Sequence, residues 1–251
     1  MNHNQKWKII DLSQEIFEGM SLYPIHQKTF IVTNQTHEKS QAATGSRLGF
    51  SARNLLISEH CGTHCDAVWE YRPDGETIEN MPMSTFWGDA ICLDVSHVPE
   101  TRYIEIEDLD NAVKKAGLDI RKGDIVLMYT GHHERYYGKP AGEAILKPAL
   151  GYYGGDEFQT RYTGISEDAA RWLAEQGVVN IGIDAPAIDH PDDPSFAGHF
   201  VCGEYDMSNT ENLCNLNLVA NKRFLYFGLP LKIREGSGSP IRAVAILKGD
   251  E

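Results

Sequence analysis

His60-Cys61-Gly62-Thr63-His64-Cys65-Asp66 gathers two imidazoles and a carboxylate, three ligands for a divalent metal, into one short stretch. Histidines spaced i, i+4 can meet on one ion from successive helical turns, but Gly62 and Thr63 are poor helix-interior residues. An extended path or a tight bend is therefore expected. Side chains alternate along an extended path, so His60, His64 and Asp66 would share one face, and Cys61, Thr63 and Cys65 the other. Imidazole nitrogen with carboxylate oxygen suits Zn²⁺, Mn²⁺ or Fe²⁺, and three protein ligands leave positions open for water and substrate. Two rival readings stand beside this one. Cys61 and Cys65, spaced C-x₃-C, can join the neighbouring histidines in a structural zinc site, although no second cysteine pair matches them. Alternatively, the histidines are buried and simply hydrogen-bond a turn.

Outward from this stretch, the apolar run Leu55-Leu56-Ile57 leads into it and places it at a strand end. On the far side, Arg72-Pro73-Asp74-Gly75 is a turn by its chemistry: fixed φ, a side-chain cap and a permissive glycine. Trp7 to Leu12 and Phe30 to Thr33 read as strands, and polar Gln35 to Ser46 as an exposed loop or hairpin end. Ala90 to Val95, Ile125 to Tyr129 and Val178 to Ile183 are apolar strand runs. Between them, Glu105 to Ala116 has apolar residues at helical spacing before Gly117, and Ser166 caps a helix that runs to Gln176. Alternating strands and helices predict an α/β fold with a partly parallel sheet in one domain over residues 1–251. Phe224 to Leu229 and Ile241 to Leu247 add two strands, the second after a Gly236-Ser-Gly-Ser-Pro240 turn. Gly131 to Thr163 is rich in Gly, Tyr and Pro and too long for a connection, so substrate contacts are expected there.

The chain has 251 residues, 41% hydrophobic and 24% charged, with a formal net charge of −13. Such a balance repels a phosphate backbone, so nucleic acid is not an expected partner. No stretch approaches the ~20 apolar residues of a membrane span, and no membrane partner is expected. Five cysteines without a dense framework suggest reduced thiols and a cytoplasmic location.

The opening stretch resembles the His-x-Gly-Thr-His-x-Asp signature of the cyclase family of metal hydrolases, which includes bacterial kynurenine formamidases and isatin hydrolases. Other parts agree in order: Asp11-Leu-Ser13, Gly182-Ile-Asp184 with Asp189 after it, His199, and Glu211-Asn-Leu-Cys-Asn-Leu216. The resemblance implies a swivelling β/β/α fold, a mixed sheet flanked by helices, in homodimers or homotetramers. It also implies that His60, His64 and Asp66 bind a first divalent ion, with His199 and Glu211 completing a second site in members that have one. The cofactor is then one or two Zn²⁺ or Mn²⁺ ions per chain. The family motif normally continues Asp-x-Pro-x-His, whereas this chain has Val68 for the proline and Glu70 for the histidine.

Outside the resemblance, His199 reads as a surface or packing residue and Glu211 as an acid at a helix N-terminus. Asp184 follows an apolar strand, where acids often meet the site of an α/β protein, and turn capping is an equal alternative. His132 and His133 diverge on an extended chain, so one at most, His133, faces substrate. Tyr152, Tyr153 and Phe158 either stack on an aromatic substrate or pack. The expected activity is hydrolysis of an amide C–N bond in a small molecule, a cyclic amide or N-formyl arylamine, with Glu70 moving the proton. A lyase or ring-closing enzyme, or a silent metal-binding protein, are the alternatives.

Overall fold

The structure is a computed structural model that describes residues 7–138, 146–147, 152–153 and 157–248. In chain order the elements are β1 (Trp7–Asp11), β2 (Phe30–Gln35), α1 (His37–Thr44), β3 (Ala52–Leu56), β4 (His64–Asp66), α2 (Val68–Tyr71) and β5 (Trp87–Asp94). There follow α3 (Ile106–Ala116), β6 (Ile125–Tyr129), α4 (His132–Tyr136), β7 (Leu146–Lys147), β8 (Tyr152–Tyr153), α5 (Glu157–Thr160) and α6 (Glu167–Glu175). The chain closes with β9 (Asn180–Ile183), α7 (Ala197–Glu204), β10 (Ser208–Glu211), β11 (Lys222–Phe227), β12 (Gly238–Pro240) and β13 (Val244–Lys248).

Nine strands form one mixed sheet in the order β1-β13-β11-β5-β6-β9-β10-β4-β12. The centre, β5-β6-β9-β10, is parallel, because α3, α6 and α7 carry the chain back between successive strands. Both wings are antiparallel. The central strands are apolar on both faces, as a covered sheet requires. Ile91, Leu93, Val126, Met128, Ile181 and Ile183 pack beneath the helices with Leu109, Ala170 and Leu173. The alternating residues Ala90, Cys92, Ile125 and Leu127 face a second core with Leu12, Leu216, Phe224 and Tyr226. Between them Gly182 allows close packing, since a Cβ there would lie 2.5 Å from Leu127 Cδ2.

The helix caps follow from local chemistry. Ser166 Oγ accepts the Ala169 N–H at the start of α6, and Gly117 ends α3 in the left-handed conformation. Three expectations need correction. Gln35 to Ser46 contains α1 rather than a plain loop, because Thr36 Oγ1 accepts the Lys39 N–H and Gly45 closes the helix at φ 62°. Glu211 ends strand β10 and opens no helix, because β10 pairs in parallel with β9 and Glu211 pairs with His64 across β4. The Gly-Ser-rich stretch before Ile241 is also more than a turn, since Gly238–Pro240 forms β12 on the edge of β4.

The candidate metal centre

The centre lies where parallel strands β9 and β10 end beside antiparallel β4, the end of an α/β sheet at which ligands commonly bind. His64 and Asp66 share a parity on β4 and so a face. The extended path does not reach back to His60, because Gly62 turns through φ 66°. His60 nevertheless meets Asp66, its Nδ1 lying 2.8 Å from Oδ1. That approach needs Gly238, where a Cβ would lie 2.7 Å from His60 Cε1. Glu70 arrives on the short helix α2, not by strand parity, and its Oε1 stands 3.6 Å from His60 Nε2.

The second half of the centre comes from β10 and α7. His64 Nε2 lies 3.4 Å from Glu211 Oε2, and His199 Nε2 lies 3.4 Å from Glu211 Oε1 and 3.6 Å from Asp66 Oδ2. The donor atoms form two compact sets that share Asp66: His60, His64 and Asp66, and Asp66, Glu70 and His199, each set within 4.8 Å.

Hydrogen bonds decide which nitrogen each histidine presents. His64 Nδ1–H donates to the Gly62 carbonyl at 2.8 Å, and His199 Nδ1–H donates to Asp189, so both turn Nε2 inward. Ser237 Oγ donates to Glu59 Oε2 at 2.7 Å and therefore accepts from His60 Nε2 at 2.9 Å, leaving Nδ1 as the inward atom of His60. Asn209 Nδ2 ties the carboxylates together, donating to Asp66 Oδ2 at 2.7 Å and to Glu211 Oε1 at 3.0 Å. Its Oδ1 is buried without a partner.

Three carboxylates, Asp66, Glu70 and Glu211, thus converge in a small volume. Burial alone would raise Asp66, but the His60 and His64 imidazoles hold it well below the usual carboxylate range. Burial and the repulsion of Asp66 push Glu70 well above it. Burial would lower His64, yet the Asp66 and Glu211 carboxylates push it up to about 9. His199 is likewise raised against its burial, by Asp189, Asp66 and Glu211. A donor set this acidic, with each imidazole anchored by its other nitrogen, fits a divalent cation better than it fits neutral packing.

The thiols take no part. Cys61 Sγ contacts Thr29 Oγ1 at 3.3 Å, Cys65 Sγ faces the Ser239 carbonyl, and all five cysteines are buried and free. The arrangement of a structural Cys-His zinc site is therefore not formed.

Above the centre opens a cavity of about 580 Å³ whose wall includes His60, His64, Glu70, His199 and Glu211. The two residues expected to touch substrate line neither this cavity nor its neighbour. Asp184 instead accepts from Thr130 N at 2.9 Å, Thr130 Oγ1 at 2.7 Å and Gly131 N at 2.8 Å, bracing the end of β6 from the end of β9. His133 lies on α4 and stacks on Tyr137 at 4.4 Å between centroids. Each side chain thus meets local partners among the described residues, Asp184 buried and His133 half-buried. Phe158 packs on His132 and Tyr137, and the side chains of Tyr152 and Tyr153 lie outside the described residues. Reading the sequence missed Asn209 and Ser237 as contributors. Asn209 had a signal, since it stands two residues before Glu211 and shares its face on a strand.

The Cyclase family model matches residues 10–190, and the chain belongs to that family of metal-dependent hydrolases. The kynurenine formamidase of Salinibacter ruber is 27% identical over 237 residues, covering 94% of this chain and 96% of its own. That of Bacillus cereus (ATCC 14579) is 25% identical, over 94% and 95% of the two chains. Among solved structures, an isatin hydrolase bound to the product analogue thioisatinate superposes with a TM-score of 0.80 at 20% identity, over 97% and 94% of the chains. Isatin hydrolase A from Labrenzia aggregata gives 0.79 at 19% identity, over 97% and 95%. The shared fold is a large curled mixed sheet flanked by helices.

Proposed function

We propose that this chain hydrolyses an amide C–N bond in a small cyclic amide or N-formyl arylamine. The observation that carries the reading is the pair of donor sets sharing Asp66 at the base of the cavity. The naming of relatives as kynurenine formamidases and of fold neighbours as isatin hydrolases supports it. In this reading His60, His64 and Asp66 hold one Zn²⁺ or Mn²⁺ ion, and Asp66, His199 and Glu211 a second where two bind. A divalent ion held there would acidify a water and polarise the carbonyl.

The protein's own groups do the rest. Asn209 and Asp189 keep Asp66, Glu211 and His199 in a fixed arrangement, so little reorganisation is needed during reaction. Glu70 Oε1 takes the proton released by the attacking water and returns it to the leaving nitrogen. Water adds across the C–N bond, giving a carboxylate and an amine: formate and an arylamine from an N-formyl arylamine, or a single ring-opened amino acid from a cyclic amide. A second reading of Glu70, as a ligand, is favoured by its membership of the set with Asp66 and His199.

The test is metal analysis of the purified protein, followed by acid release over lactams, isatin, N-formylkynurenine, formanilide and esters, in parallel with His64→Ala. Bound metal with hydrolysis of amides, both lost in His64→Ala, is the expected result. Stoichiometric metal without cleavage of any amide overturns the reading.

A further inference from the structure

The wall of the cavity contains a residue in an unusual backbone state. Phe196 adopts φ 51° and ψ 50°, the left-handed region, at the N-cap just before α7. Among the described residues, the other non-glycine positions with positive φ are Asp206, Asn212, Asn215, Asn221 and Glu235, four of them the Asn or Asp that tolerate this region. A phenylalanine gains nothing locally from it. Such a conformation persists only where neighbours impose it, and it gathers at functional sites.

The neighbour that imposes it is Asp193. Its Oδ1 accepts from Ser195 N at 2.8 Å and from Ser195 Oγ at 2.5 Å, and its Oδ2 accepts from Ala197 N at 3.2 Å. The carboxylate therefore clasps the backbone on both sides of Phe196. The ring is left 43% exposed, in edge-on contact with His199 at 6.4 Å between centroids. One helical turn on, Phe200 is 56% exposed on the same wall. Leu22, Ile25, Pro186 and Ala187 supply further apolar lining. No Lys or Arg lines the cavity among the described residues.

We infer that Phe196 and Phe200 form an apolar slot that sets specificity, gripping the flat, uncharged part of the substrate while its amide lies at the metal centre. This rests on the amide-hydrolase reading and narrows its substrate class. The favoured substrates are neutral aryl amides and lactams, and an ionised carboxylate on the aryl part is selected against. A carboxylate in the slot would lose its hydration with no Lys or Arg among the described lining residues to meet it, whereas a neutral ring buries apolar surface on both partners. Phe196 is the specificity-determining residue, and Asp193 is the positioning residue that holds it.

The experiment compares formanilide with 4-formamidobenzoate in the holoenzyme and in Phe196→Asn, Asp193→Ala and Phe200→Arg. The wild type should prefer formanilide by at least about tenfold in kcat/KM. Phe196→Asn accepts the left-handed conformation but lacks the ring, so it should raise the formanilide KM about tenfold, far more than it changes kcat, and should raise the melting temperature. Asp193→Ala should reproduce the KM effect without the gain in stability. Phe200→Arg should shift preference towards 4-formamidobenzoate by about tenfold or more. Equal kcat/KM for the two wild-type substrates, or an unchanged formanilide KM in Phe196→Asn, overturns the inference. Calorimetric titration with oxindole separates this from failure of the amide-hydrolase reading. If no amide is cleaved, oxindole binding weakened about tenfold in Phe196→Asn still supports the slot, and binding that is undetectable or unchanged overturns it.

Discussion

Asp189 determines which nitrogen of His199 faces the metal centre. Its Oδ2 takes the Nδ1 proton while its Oδ1 accepts the Gly198 N–H at 2.5 Å, so carboxylate, backbone and imidazole form one unit. Only Nε2 remains to meet Asp66 and Glu211. Asp189→Asn keeps the shape but removes the negative charge that makes the imidazole a better ligand. We expect metal affinity at the His199 side to fall about 10- to 100-fold, with little change in circular dichroism. Competition with a calibrated chelator measures it, and unchanged affinity would remove Asp189 from the centre.

Glu211 and Glu204 make an internal comparison. Glu211 is buried between His64 and His199, whereas Glu204 pairs with Arg171 at 2.6 Å on the surface. Glu211→Ala should lower both metal content and activity. Glu204→Ala should leave metal content as it is and change stability little, as expected of an exposed ion pair. Small and equal effects from both would restrict the centre to the His60, His64 and Asp66 site.

Glu70→Gln separates proton transfer from ligation. If Glu70 moves the proton, kcat should fall about 10²- to 10⁴-fold with metal content retained. Weaker metal binding together with lost activity would make Glu70 a ligand. Full metal and a near-normal rate would exclude both roles.

His132 gives stability a dependence on pH that is separate from the metal centre. It is fully buried on α4, its Nε2–H donates to the Phe158 carbonyl at 2.9 Å, and burial lowers its pKa to about 3. Between that value and its ordinary one of 6.5, the unfolded chain takes a proton that the folded chain refuses. Stability from this residue is therefore complete above about pH 6.5 and lost as pH falls, with about 2 kcal/mol gone at pH 5. Denaturant titrations at pH 7 and pH 5 should show a smaller loss for His132→Gln than for the wild type. Equal losses would mean that His132 is not held neutral.

The sequence by itself determined the parts whose chemistry is local. Apolar runs alternating with capped helices specify the parallel centre of the sheet, since burial on both faces requires such runs, and Ser166 and Gly117 mark their helix ends without reference to the rest of the chain. His64 and Asp66 share a face through strand parity alone. The tertiary structure decided what depends on contacts between distant segments. Glu211 became a strand end facing His64 only because β10 lies between β9 and β4. Asp184 and His133, plausible site residues by position, have Thr130, Gly131 and Tyr137 as partners. Asn209 and Ser237 entered the centre through the carboxylate of Asp66 and the imidazole of His60, both far from them in sequence. Periodicity encodes which way a side chain points within its own element, but which donors meet depends on how elements pack across the sheet, and no local pattern carries that information.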